Sequence, residues 1–173
     1  MNRQHSLTDQ VAEFLAEQDF PLFRSEENSF FGNVTIEGGV DISLWVDCKC
    51  SSTPLVRVSG ILPIAVPASL QGEFVSVLNA INQSILCGRF AMDPQDGRVS
   101  LENSAMIPDG EHPRAQLRWL LFLNEAIMRR EALTLMRLAT GALTERDALS
   151  LIGIESGDSP MQAESDPERI RWN

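Results

Sequence analysis

The residues able to do nucleophilic or metal chemistry in this chain are few. There are three cysteines and two histidines. Lys49 is the single lysine, and every other cation is an arginine. Cys48 and Cys50 are spaced i, i+2. On an extended strand their Cα atoms would lie about 6.6–7 Å apart on one face, at or beyond comfortable disulfide reach. They read as small apolar side chains in a sheet, with Cys87 the remaining thiol for any redox or metal role. His5 lies in the N-terminal arm and His112 in a loop before a helix. A zinc site from Cys48, Cys50 and His112 matches no recognised ligand spacing. Asp93 and Asp96 resemble part of a calcium loop, but Gln95 and Gly97 fill the next alternate positions, and Asp96-Gly97 reads as a hairpin turn. No phosphate-loop, dinucleotide-binding or nucleophile-elbow pattern occurs. Asp41, Asp47 and Lys49 share a wet strand face, which is ordinary solvation. The chain reads as non-enzymatic, with no cofactor, no metal and no catalytic residue.

The elements that would position any site follow from hydrophobic spacing. Residues 6–18 read as a helix, with Ser6 and Asp9 as a capping box and Leu7, Val11, Phe14 and Leu15 in one stripe. Beyond Pro21 the period switches to two. Phe30, Val34 and Ile36 share a strand face. After the Gly38-Gly39 turn, Val40, Ile42, Leu44, Val46 and Cys48 point one way and Asp41, Ser43, Trp45, Asp47 and Lys49 the other. A third strand, 55–62, ends at Pro63. Ile61, Leu62, Ile64 and Val66 form an apolar stretch in a connection, read as packing under the second helix. That helix covers 68–85, with Phe74, Val77, Leu78, Ile81 and Ile85 in phase. Strands at 89–92 and 98–101 flank Pro94-Gln95-Asp96-Gly97. A long helix spans 113–139 and stops at Gly141.

The order is α-β-β-β-α-β-β-α, an α+β fold with a mostly antiparallel sheet and helices on one face. Residues 1–142 form a single domain. Residues 143–173 are expected to be a short helix at 143–152 and an acidic, disordered tail.

With 173 residues the chain is long enough to bury a substantial core. Its 24 acidic residues outweigh 14 basic ones, a net charge of -10. That argues against nucleic-acid and anionic-membrane partners. Nothing resembles a signal peptide or a membrane span, so a cytoplasmic location is expected.

The long helix is apolar on two sides. Leu117, Leu120, Leu121, Ile127, Met128, Leu135 and Leu138 share a broad face, and Trp119, Phe122, Leu133 and Met136 lie roughly opposite. Such a helix packs on two things. One is its own sheet, and the other is the first helix, the tail, a second subunit or a client. Glu131 falls inside the main apolar face. Arg57 or Arg89 could pair with it, but the preferred reading bends or ends the helix and leaves Glu131 in water. Trp45, on the outward strand face, is covered by the tail or marks a contact surface.

Asn79-Ala80-Ile81-Asn82, Cys87-Gly88-Arg89-Phe90-Ala91-Met92-Asp93 and Asp96-Gly97-Arg98-Val99 resemble the YbjN-domain family of bacterial proteins. The element order also resembles the type III secretion chaperone (Tir-chaperone-like) fold. The resemblance covers about residues 7–140 and is sharpest over 78–101. The arginine-rich last helix and the acidic tail depart from it. It implies a sensory-transduction or stress-related regulator, or a homodimeric chaperone that holds a protein or peptide client. It implies client contact at Trp45 and Val56, and a dimer interface on the second helix at Phe74, Val77, Leu78 and Ile81. Trp119 and Phe122 are further partner-contact candidates from the helix wheel. The alternative is a small-molecule sensor or small enzyme, with Arg57, Arg89 and Glu131 lining a pocket between sheet and long helix.

Overall fold

The structure, a computed structural model, describes residues 6–18, 20–36, 39–49, 54–108 and 111–155. Helix α1 (Leu7–Glu17) opens the chain. Ser6 caps it: its Oγ accepts from the Asp9 amide at 3.2 Å and donates to the Asp9 carboxylate at 2.8 Å. Four strands follow, β1 (Phe23–Glu26), β2 (Ser29–Ile36), β3 (Val40–Lys49) and β4 (Leu55–Ala65). Helix α2 (Gln71–Ser84), the hairpin β5 (Arg89–Met92) and β6 (Arg98–Met106), and helices α3 (Arg114–Ala139) and α4 (Glu145–Glu155) complete the chain.

The strands form one antiparallel sheet in the order β1-β2-β3-β4-β6-β5. The alternation of β3 holds: Val40, Ile42, Leu44, Val46 and Cys48 are buried, while the residues between them are half-buried or exposed. The helices cover the buried side of the sheet in two apolar clusters. One joins strands β2 to β6 to α2, α4 and the C-terminal half of α3. The other joins the sheet to α1 and the N-terminal half of α3. Among the helices, α3 alone contributes buried side chains to both.

Four elements differ from the sequence reading, one of them β6, which runs on from residue 101 to Met106. Strand β1 is additional: it is a short edge strand whose four residues are all exposed, so no alternation marked it. Strand β4 runs on through Pro63 to Ala65, so Ile61 to Ala65 belong to the sheet rather than to a connection. Pro63 is tolerated because the β4–β6 register breaks between Ile61 and Ala65 and no ladder bond needs its missing N–H. Helix α3 does not end early. It continues to Ala139, and Glu131 is buried at 3% exposure. Its carboxylate accepts from the neighbouring Arg130 Nε at 2.5 Å. Arg57 and Arg89 pair elsewhere.

The 94–97 segment is a turn. Asp93 and Asp96 accept from the Gln95 and Arg98 amides at 2.8 and 2.9 Å, which commits one oxygen of each to the chain's own backbone. Gly97 sits at φ +71°, and a Cβ there would stand 2.3 Å from the Val66 carbonyl oxygen, so only glycine fits without displacement. Residues 156–173, the expected tail, lie outside the described residues.

Candidate functional site

Two surfaces carry aromatic side chains. The first is the face of the sheet turned away from the helices. Antiparallel pairing aligns Phe31, Trp45, Ser59, Glu102 and Arg89 across five strands. Trp45 lies against Phe31 with ring centroids 4.7 Å apart and planes tilted by 44°. In the adjoining row Ser29, Asp47, Arg57 and Ser104 align. Arg57 donates to Asp47 Oδ2 through Nε and Nη2 at 3.1 and 2.8 Å, and Ser29 donates to Oδ1 at 2.8 Å. Arg89 reaches Glu102 at 3.8 Å. The result is one half-buried aromatic pair edged by charges that already have partners. Such a face can lie against another polypeptide while only modest polar desolvation is incurred.

The second surface is the outer side of α3. Leu117, Leu120, Leu121, Ile127, Met128, Leu135 and Leu138 face the core. About 140° around the helix from the centre of that face, at 100° per residue, stands Trp119, which is 49% exposed. It stacks on Phe122 at 5.7 Å with an interplanar angle of 26°. Leu133, two turns beyond Ala126 on the same side, is 51% exposed. Large apolar groups left in water at this spacing mark an interaction surface more often than chance placement.

Behind the sheet, a polar chain ties α3 to the strands. Asn124 is fully buried, and its Nδ2 donates to the Leu101 carbonyl and to Asn103 Oδ1, both at 3.1 Å. Asn103 Nδ2 donates in turn to the Cys87 carbonyl at 3.3 Å. Gly60 makes room for this: a Cβ there would stand 2.4 Å from Asn124 Oδ1 and 2.9 Å from Met128 Cε. Asn82 of α2 brackets edge strand β5, accepting from the Phe90 amide at 2.7 Å and donating to the Phe90 carbonyl at 3.0 Å. These contacts fix α2, β5 and α3 on the sheet.

Several expected site residues lie elsewhere. Val56 has 0% exposure and points into the α1–α3 cluster, because the β4 register puts it on the covered face. It cannot be a client contact in this fold. Phe74, Val77, Leu78 and Ile81 of α2 are all buried, between 0 and 3% exposed, among sheet, α3 and α4 side chains. Ala148 and Ile152 of α4 complete the cover over that face. A dimer interface built from these four would require the core to open. Arg57 and Arg89 stand on the outer sheet face and Glu131 on the inner, so the three do not converge on one pocket. Cys48 is buried and Cys87 exposed. Cys50 and His5 lie outside the described residues. His112 is exposed and its Nδ1 accepts from the Arg114 amide at 3.3 Å. Among the described residues no group of His, Cys, Asp or Glu is placed to hold a metal ion, and no helix is long and apolar enough to cross a membrane.

Phe31, Asn82 and Asn103 escaped the sequence reading as site or scaffold residues. Phe31 is found only through register, since its ring meets Trp45 across the β2–β3 pair.

No family model and no curated protein matches this chain. Among solved structures, the crystal structure of YbjN from E. coli aligns with it over 88% of this chain and 92% of that chain, at 15% identity and a TM-score of 0.46. The chain is similar in structure to YbjN. At 15% identity no residue here takes a role from YbjN.

Proposed function

We infer that this chain is a non-enzymatic binding module, chaperone-like or regulatory, that holds a segment of a partner protein. The observation that carries this reading is the Trp119–Phe122 stack on the outer side of α3, half exposed and opposite the helix's core face. The Phe31–Trp45 pair on the open sheet face supports it as a second contact area. Aromatic groups of this kind dominate the energetics of protein interfaces. The acidic net charge of -10 favours solubility.

The test is purification of the tagged full chain from its own host after gentle cross-linking, with partners identified by mass spectrometry. One stoichiometric protein partner is expected, lost with Trp119→Ala or with Trp45→Ala. A partner that survives both substitutions, or no partner, overturns the reading. Light scattering on the same preparation reports whether the chain acts as the homodimer that the resemblance implies.

A further inference from the structure

The exposed side of α3 carries a pattern distinct from its core face. Ala115, Trp119, Phe122, Ala126, Arg129, Leu133, Met136 and Thr140 follow one another at intervals of four and three, and none of them is buried. That is the 3.5-residue repeat of a coiled-coil seam, running along the helix from Ala115 to its C-cap, Thr140. The seam is apolar or small at every position but Arg129 and the terminal Thr140. It calls for a helix as occupant, because a strand or loop presents no side chains at that repeat.

The charges beside the seam say which helix. Arg118 flanks it on one side and Arg137 on the other, Arg129 stands within it beside Glu125, and Arg130 is turned to the buried Glu131. Glu125 accepts from Arg129 at 2.6 Å and leaves the strip basic overall. This basic strip stands on a chain whose net charge is -10. A second α3 fits badly. In a parallel pair Arg129 would meet its own copy at the seam, and in an antiparallel pair the edge bearing Arg137 would meet the same edge again. Like charges at these flanking positions select against a pairing.

We propose that the outer face of α3 docks an acidic amphipathic helix of a partner protein, with apolar residues seated around Trp119, Phe122 and Leu133 and carboxylates on both flanks reaching Arg118 and Arg137. This rests on the reading of the chain as a protein-binding module and names the partner's chemistry. Ala126, between Phe122 and Leu133, is the small position where the two helix axes come closest.

The test uses the full chain and two fluorescein-labelled peptides of about four heptads, with leucine and isoleucine at the seam. One carries glutamate at the flanking positions and the other lysine. Fluorescence anisotropy is read at low and at raised salt. The glutamate peptide is expected to bind in the micromolar range and to weaken about tenfold or more at the higher salt, while the lysine peptide does not bind. Trp119→Ala with Leu133→Ala should weaken binding at least about tenfold and leave the thermal midpoint within a few degrees, since both side chains are half exposed. Arg118→Glu with Arg137→Glu should reverse the preference toward the lysine peptide. Equal binding of the two peptides, absence of binding, or binding indifferent to these substitutions overturns the proposal. So does a dimer in sedimentation equilibrium that Trp119→Ala and Leu133→Ala dissolve, which would make a second copy the occupant. A native partner lost with Trp119→Ala but lacking an acidic helix would overturn this inference and leave the binding-module reading standing.

Discussion

Asn124 of α3 and Asn103 of β6 share a hydrogen bond of 3.1 Å in a fully covered site, with the Asn124 amide as donor. The pair is polar in the middle of an apolar layer, and it fixes where along the sheet the long helix sits. Replacing Asn124 by alanine removes two hydrogen bonds and leaves Asn103 Oδ1 buried without this donor. The expected cost is about 2–3 kcal/mol. Urea denaturation of the variant should show a lower midpoint at an unchanged slope.

Gly60 lies under the same asparagine. Gly60→Ala places a methyl group 2.4 Å from Asn124 Oδ1, so the helix or the side chain must shift, at a cost of about 1–3 kcal/mol. Truncating Asn124 removes the atom in the way. The double variant Gly60→Ala, Asn124→Ala should therefore lose less stability than the sum of the singles, by about 1 kcal/mol, in a double-mutant cycle. Simple additivity would show that Asn124 is not what the new methyl meets.

Asn82 holds an edge strand by both polar groups of one residue. Its replacement by alanine should free the Phe90 amide and carbonyl, while the Phe90 ring stays in the core. Hydrogen exchange should then speed by about an order of magnitude across 89–92, while amides of β3 and β4 exchange at the original rate.

Arg114, at the start of α3, pairs with Glu17 at the end of α1 at 2.5 Å and lies over the Phe14 ring at 5.8 Å. Its hydrogen bond to Glu17 holds that carboxyl below the ordinary glutamate range. A carboxyl with a lowered folded value stabilises above its unfolded value, and that contribution disappears as pH falls through the folded one. Arg114→Gln should weaken protection of α1 amides at neutral pH. The difference from the parent chain should shrink to nothing in acid, below the Glu17 titration. Both groups are well exposed, so the effect belongs to the docking of α1 rather than to global stability.

The sheet face buried by β3 was legible because five apolar residues alternate strictly with polar ones. The two-sided α3 was legible for the same reason at helical period. What covers an apolar face is a different matter. The pattern in α2 marks Phe74, Val77, Leu78 and Ile81 as inward, yet it does not distinguish a partner from α4, some 60 positions further along the chain. Val56 alternates correctly in β4, and only the register with β3 tells which of the two faces it joins. Glu131 reads as a surface residue by its charge, but helix phase wins: the turns on either side are buried by Met128 and Leu135, and Arg130 is close enough to accompany the carboxylate inward. Strand β1 left no trace, since a strand exposed at all four positions has no pattern to read.

Helix α3 supplies buried residues to both apolar clusters, Leu117 to Leu121 at one end and Ile127 to Ala139 at the other. It is continuous across that span. The two halves of the molecule are thereby coupled through one rod on the helical side, and through β2, β3 and β4, which also place buried residues in both clusters, on the other. A proline at exposed Ala126 would cut the rod between the clusters without touching either. The chain would then unfold at a lower midpoint, with only the strands left to hold the α1 half to the α2–α4 half.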